Sequence, residues 1–403
     1  MILIKKISYS LDYFFFFIGS FFALLCNLFL GYYSIENLAL FNKSYAIFIV
    51  LGHLFLFSIH ENLVKNLTSA KNRTEYLSSI FFIALCCCIL SIFFFIIINF
   101  FLSDSDLFYG INQYFLLWTI PLFIINKFFF AVLNADKKFH LYFFLNCLRP
   151  IFIFSLMLLL FYNNINISNV FFVSETILLF VNLTIYKKFN IEILINKINF
   201  IILKKIIFFN TLSLPHSLLS YSFLRIDIII LSFFISLENL GYYSFASMII
   251  EGIYQLLSMM RDRINPDIAK QLQLKEYKLS LYYKKIFINI FLFFSIFTIT
   301  YFIFFPLISF MSNYDYNLSR NLFLIISCGL FIFSISATME HIFLMNNKPH
   351  YQSFYIILGN LLNIILNIVL IKMFGVYGAA FATSVTFAIL SLIIFYYAFK
   401  ISK

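Results

Sequence analysis

The chain is written as long apolar runs separated by short polar gaps. The first run reaches from about Leu11 to Gly31 and contains one charged residue, Asp12. Runs of this kind recur to the C-terminus. A water-soluble core cannot take them in, because 63% of the chain is hydrophobic and 60 of its 403 residues are phenylalanine. A mean hydropathy of +0.97 says the same. Over most of its length the chain must be solvated by lipid. Lipid offers no partner to a bare backbone, so such runs must be helices, each needing about 20 residues to cross the hydrocarbon. The runs divide into about twelve spans, at roughly 12–33, 39–60, 78–101, 112–134, 141–162, 168–187, 209–235, 240–260, 286–311, 321–345, 352–372 and 377–399. Pro215 in span seven and Pro306 in span nine are tolerable where neighbouring helices satisfy the freed carbonyls. The first run is too long for the apolar region of a cleaved signal, and no A-x-A-like site follows it.

Charge fixes a topology. Lys and Arg number 28 against 17 Asp and Glu, a formal net charge of +11. On a soluble chain this excess would suggest nucleic acid. Here the basic residues sit between apolar runs, so the reading is membrane orientation and contact with anionic lipid, with no nucleic-acid partner. Placing the N-terminus in the cytoplasm puts Lys5, Lys6, Lys65, Lys71, Arg73, Lys137, Lys138, Lys187, Lys188, Lys197, Lys204, Lys205, the cluster from Arg261 to Lys285, Lys348, Lys400 and Lys403 on the cytoplasmic side. Both termini are then cytoplasmic. External loops hold Lys43, Arg320 and Lys372 beside Glu36, Asp104, Asp106, Glu238 and Asp315, while Lys127, Arg149 and Arg225 fall within spans. The six cysteines include Cys86, Cys87 and Cys88 in tandem. Consecutive helical positions point about 100° apart, so these are packing or lipid-facing residues. No CxxC, HExxH, GxxxxGK[ST] or GxGxxG occurs, so no motif argues for hydrolysis, nucleotide binding, a structural metal or a cofactor.

An internal repeat organises the spans. SIENL at 34–38 returns as SLENL at 236–240, and KFH at 138–140 as KPH at 348–350. Both pentapeptides fall in external turns that open the next span. With six spans each, the halves share an orientation and are related by an axis along the membrane normal. The expected fold class is an all-α integral membrane protein with about twelve transmembrane helices in two six-helix bundles around a central cavity. The expected division is an N-terminal bundle at 1–187, a cytoplasmic linker at 188–208 and a C-terminal bundle at 209–403.

Two stretches carry a family resemblance. RIDIIILSFFISLENLGYYSFASMIIEGIYQLLSMMRDRINPDIAK (225–270) supplies Asp227, then Glu238, Gly241, Tyr243 and Ala246, then Pro266. NNKPHYQSFYIILGNLLNIILNIVLIKMFGVYGAAFATSV (346–385) supplies a Lys loop, an Asn-rich span eleven and a G-x-x-G-A-A turn. Both resemble polysaccharide flippases of the multidrug/oligosaccharidyl-lipid/polysaccharide (MOP) exporter superfamily. The first-half turn departs from that pattern, with Ala39 and Leu40 where glycine is usual. The chain lacks the two further spans of the peptidoglycan-precursor flippases. The resemblance implies a Wzx-type O-antigen flippase moving an undecaprenyl-diphosphate-linked oligosaccharide, an O-antigen or capsule repeat unit, across the bacterial inner membrane. It also implies a polysaccharide polymerase as partner.

Charges within spans are costly and mark cavities or partners. Lys127 and Arg149 lie on antiparallel neighbours, both roughly 10–12 Å from the cytoplasmic edge. They form a cationic inner mouth for a diphosphate, Arg as a fork and Lys as a point charge; snorkelling to the inner headgroups is the other reading. Arg225 joins them as a substrate-binding candidate. Ser213, His216, Ser217 and Ser220 share one face of span seven and run toward Asp227. Residues two apart do not meet on a helix, so Arg225 and Asp227 need other partners, and Glu175 in span six is a candidate. Ser247, Glu251, Tyr254 and Ser258 form a stripe on span eight. Cavity lining or ion coupling is assigned to Asp227, Glu251, Glu175, Ser217, Ser220 and Tyr254; hydrogen bonding between helices is the plainer alternative. Glu340 and His341, near the inner end of span ten, could titrate during ion coupling, with an interfacial position the plainer account, and Asp12 at the inner rim of span one reads the same way. The segment 261–285 reads as an amphipathic stretch on the cytoplasmic surface.

These features describe a non-enzymatic transporter that rocks two halves about a cavity and draws on a proton or sodium gradient. A multidrug/cation antiporter of the same superfamily is one alternative, favoured by a carboxylate-dominated cavity. A membrane-embedded glycosyltransferase or polymerase is another, but it would want a large external loop for sugar chemistry.

Overall fold

The computed structural model describes residues 2–67, 72–102, 113–161, 169–188, 197–223, 225–311, 314–346 and 348–402. Among these there is no strand. The helices in chain order are α1 (Ile2–Tyr33), α2 (Ile35–Leu56), α3 (Ile59–Asn66), α4 (Arg73–Leu102), α5 (Gln113–Ala135), α6 (Phe139–Phe161), α7 (Asn169–Lys188) and α8 (Phe200–Ser222). Then follow α9 (Ile226–Leu231), α10 (Leu237–Gln273), α11 (Tyr283–Ile299), α12 (Phe305–Met311), α13 (Asn317–Ser336), α14 (Ile342–Met345), α15 (Pro349–Phe374) and α16 (Val376–Ser402). Ten helical stretches among the described residues are long and apolar enough to cross a membrane. Spans seven and eight of the sequence reading are helical too, as α8 with α9 and as α10, but their polar content keeps them below that hydropathy. Asp104 and Asp106 fall outside the described residues.

The recurring pentapeptide is a helix start. Ser34 precedes α2, and its hydroxyl accepts the N–H of Asn37 at 3.2 Å. Ser236 precedes α10, and its hydroxyl accepts the N–H of Asn239 at 3.4 Å. Each satisfies one of the donors a helix leaves orphaned at its N-terminus. Glu36 and Glu238 occupy the first turns, where the helix dipole favours an acid. The second echo is a helix end. The N–H of Lys138 reaches the carbonyl of Leu133, and that of Lys348 the carbonyl of Phe343, both at 2.9 Å. A bond back to the fifth preceding carbonyl is how a Schellman turn stops a helix. The two starts also meet. Asn42 Nδ2 donates to Ser244 Oγ at 3.3 Å, and these residues are 202 apart, the offset of the repeat itself. Beside them, a Cβ on Gly241 would overlap the Ile35 carbonyl oxygen.

The described chain divides into two compact units. The first is Met1–Leu30 with Lys43–Ser222, and the second is Gly31–Asn42 with Phe223–Lys403. The contact between the helix starts is therefore internal to the second unit. The boundary at Ser222 lies beyond the 188–208 linker read from the sequence. Helix α8 begins at Phe200, inside that linker, because Asn199 caps it: its side-chain oxygen accepts the N–H of Ile201 at 2.9 Å. Asn199 is itself held on α4, where its N–H donates to Ser79 Oγ at 3.2 Å. The stretch from Arg261 continues α10 to Gln273 with no break. Ile264 and Ile268 are buried, so this part is a packed helical extension and not a separate surface segment. Near Pro306 the chain widens into a π turn at Thr300–Phe304 that joins α11 to α12, a common accommodation where the i→i−4 ladder is interrupted.

Candidate functional site

In the second unit the site centres on Asp227. Span seven does not run through as one helix. It stops at Ser222 and resumes at Ile226, and α9 places Asp227 in its first turn, 1% exposed. The carboxylate sits in a cage drawn from three other helices. Tyr243 on α10 donates to Oδ2 at 3.0 Å, and Thr383 on α16 donates to the same oxygen at 2.5 Å. Asn367 on α15 donates to Oδ1 at 2.8 Å and to the side-chain oxygen of Asn363 at 2.9 Å. Asn363 and Asn367, four apart, share one face of α15. Two buried amide atoms of this pair, Asn363 Nδ2 and Asn367 Oδ1, have no hydrogen-bond partner. Turning the Asn367 amide by half a rotation would exchange its donor for an oxygen. Oxygens of Asp227, Asn363, Asn367 and Thr383 would then converge, a donor set suited to a small hard cation. In the present amide orientation the cage equally suits a protonatable carboxyl. The polar face expected to run from Ser213 to Asp227 is not formed, because the break at Ser222 separates them. Ser217 is buried in the first unit and Ser220 is exposed.

Two further charge systems occupy the second unit. Arg225 pairs with Glu251, and Gln255 donates to Glu251 at 3.3 Å. Glu340 pairs with Arg261 and accepts the Tyr254 hydroxyl at 2.8 Å. The stripe read along span eight is thus divided between two partners. Glu340, read from sequence as interfacial, is a partnered group inside a helix junction.

In the first unit Glu175 is the partner of Arg149, not of Arg225 or Asp227. Nε of Arg149 lies 2.6 Å from Oε1, and NH2 donates to Oε2 at 3.2 Å. Asn126 donates to Glu175 Oε2 at 2.8 Å, and Asn182 donates to Asn126 Oδ1 at 2.8 Å. Glu175 is 1% exposed and Arg149 9%, so this is a buried, hydrogen-bonded pair of α6 and α7. Lys127 on α5 is brought to Arg149 as the sequence suggests. Its ammonium stands 5.5 Å from the Phe123 ring and the guanidinium 5.1 Å from the same ring, within cation–π range. Among the described residues no carboxylate lies at ion-pair distance from Lys127. Arg149 is neutralised by Glu175; Lys127 is not.

Sequence reading misses two groups. Asn363 and Asn367 stand in an Asn-rich span to which the sequence assigns no role, although an i,i+4 amide pair in an apolar helix is itself a sign of a polar site. His53 and His60 look in sequence like ordinary polar residues of span two. They stand with their ring centroids 6.0 Å apart, and His53 stacks on Tyr221 at 4.0 Å.

No protein-family model matches the chain, and no curated protein sequence matches it. Solved structures do. A lipid II flippase MurJ in an inward closed conformation superposes with a TM-score of 0.72 at 20% identity, over 98% of this chain and 90% of that one. An inward-facing multidrug resistance MATE family transporter of the MOP superfamily gives 0.72 at 14% identity, over 95% and 94%. The chain shares the fold of these two transporters. A third neighbour, the MATE multidrug transporter DinF-BH, gives 0.61 at 14% identity, over 98% and 95%. At these identities the likeness establishes an all-helical, multi-pass membrane architecture and leaves substrate to the chemistry of the sites.

Proposed function

We propose that this chain is a flippase for a lipid carrying an oligosaccharide on a polyprenyl diphosphate, an O-antigen or capsule repeat unit, working by alternating access in the bacterial inner membrane with both termini cytoplasmic. The observation that carries the reading is Lys127, a cation within an apolar span with no carboxylate at ion-pair distance among the described residues. A lysine held there without a counter-charge is suited to an arriving anion. Arg149 is the residue that positions the site, its charge being occupied by Glu175. The Asp227 cage is the coupling site, exchanging a proton or a sodium ion as transport proceeds. Arg225, Glu251 and Tyr254 connect helices around that cage. Energy comes from the ion gradient, and no covalent bond is made. A polysaccharide polymerase would take up the delivered unit. The similarity to MurJ supports the lipid-linked class.

The MATE neighbours are multidrug transporters, and the other reading is an antiporter of organic cations. Such a substrate calls for a carboxylate free to meet it, and Glu175 is engaged by Arg149 and Asn126. Reconstitution distinguishes the two. Vesicles holding the full chain should move a polyprenyl-diphosphate-linked oligosaccharide when a proton or sodium gradient is imposed. Asp227→Asn should remove the gradient dependence, with normal yield and monodispersity. Movement of an organic cation under either gradient, with none of the lipid-linked sugar, would overturn the proposal.

A further inference from the structure

We infer that His53, His60 and His216 of the first unit form, with Lys127, an anion seat that takes up a proton when a diphosphate headgroup enters it. The inference rests on the lipid-diphosphate reading of the preceding section and adds to it the residues that receive the headgroup and the proton that accompanies it.

The seat exists because a helix is broken. Between α2 and α3 the chain passes through Phe57 at φ 49° and Ser58 at φ 53°. Left-handed conformations are costly for residues with a Cβ, and two in succession need the surrounding structure to impose them. An unbroken helix would separate positions 53 and 60 by about 10.5 Å along its axis. The break brings the two imidazoles to a 6.0 Å centroid distance and sets both against Tyr221, at 4.0 Å and 5.8 Å.

The ring nitrogens then point to a ligand. His53 Nδ1 is 2.9 Å from the Ile49 carbonyl, a contact that requires the proton on Nδ1. Its Nε2 is therefore a bare lone pair in the neutral ring. That atom is buried without a partner, and so are both ring nitrogens of His60. To donate to an anion, His53 Nε2 must first gain a proton. The groups that face the seat are cationic or neutral. Lys127 from α5 and Arg149 from α6 lie within electrostatic reach of His53, and Lys127 with His216 from α8 within reach of His60. Glu175 on α7 is paired to Arg149, and Tyr221 on α8 is stacked on His53. A multiply charged diphosphate reverses the balance, and imidazolium and ammonium then make charge-assisted bonds to it.

The test is calorimetry on the full chain in detergent, with farnesyl diphosphate as the lipid-bearing probe and inorganic pyrophosphate as the free anion. Wild type should bind farnesyl diphosphate more tightly as pH falls through the imidazole range, approaching tenfold per pH unit for one proton taken up. Inorganic pyrophosphate should compete. His53→Gln with His60→Gln should remove that slope. The slope is read as wild type minus variant, so the probe's own titration cancels. Should the double variant not fold, each single replacement should lose part of the slope. Lys127→Gln should weaken binding. An unchanged slope in the histidine variants would overturn the inference and leave the lipid-diphosphate reading standing. Binding of farnesyl diphosphate indifferent to both pyrophosphate and pH would mean the isoprenoid tail alone is held, and would overturn it as well. Failure of wild type to bind any diphosphate would overturn the substrate reading together with the seat.

Discussion

Replacing Arg149 with methionine removes the cation from a carboxylate that is 1% exposed. Glu175 would keep one bond, from Asn126 at 2.8 Å, and lose both contacts to the guanidinium. Removing one partner of a buried pair costs about 3–5 kcal/mol, most of it the penalty for an uncompensated charge in a low-dielectric site. For domains of about 150–250 residues, each kcal/mol lowers the melting temperature by about 2–4 °C. The Arg149→Met variant should therefore melt roughly 6–20 °C below wild type. Adding Glu175→Gln removes the stranded charge and keeps an acceptor for Asn126. An apolar or neutral replacement of a whole buried pair is often close to neutral, so the double variant should recover most of the loss. The measurement is thermal unfolding of the purified, detergent-solubilised chain, with monodispersity checked before and after. An Arg149→Met variant that melts within about 2 °C of wild type, or a double variant no more stable than the single, would refute the stranded charge. Either result would return Arg149 to the role of a substrate contact. Retained stability with lost diphosphate binding would make that case directly.

Three other outcomes follow from the fold. Gly241→Ala places a methyl against the backbone of Ile35, which cannot yield as a side-chain tip would, so the variant should lose folded yield and melt well below wild type. Ser34→Ala and Ser236→Ala each remove a helix cap and should cost about 1 kcal/mol, adding nearly independently in the double variant when followed by the same melt. Burial pushes the Glu61 carboxyl, in the first turn of α3, up from 4.5 to about 7. Its folded-state value is raised, so its contribution to stability is fully present below about pH 4.5 and is lost as pH rises through about 7; Glu61→Gln should flatten the pH dependence of the melt across that window.

Much of this architecture is legible in the residues. The apolar runs locate the long helices, since lipid leaves them no other structure. The echoes SIENL/SLENL and KFH/KPH are local devices, a cap and a stop, and local devices survive translation from sequence to structure. Tertiary partners do not. Glu175 stands at a depth compatible with several cations, and only packing of α6 on α7 gives it to Arg149. The end of α8 at Ser222 has no glycine or proline to announce it, so Ser217 and Asp227 look continuous in sequence and are not. The break at Phe57–Ser58 is equally silent, because neither residue favours a left-handed backbone. Without that break His53 and His60 are two isolated polar residues two turns apart.

The bond from Asn42 to Ser244 joins positions that correspond under the internal repeat. Contacts of that kind are the mark of an isologous interface, in which a surface recognises its own copy across a two-fold axis. In a true homodimer the same residue must serve both sides, so any steric demand is met twice. Within one continuous chain the obligation lapses. Position 241 must be glycine against Ile35, whereas its counterpart, Ala39, is fully buried with its methyl in place. One chain can thus carry two copies of one helix start while its two units take on different chemistry, carboxylate and amides in one, imidazoles and an ammonium in the other.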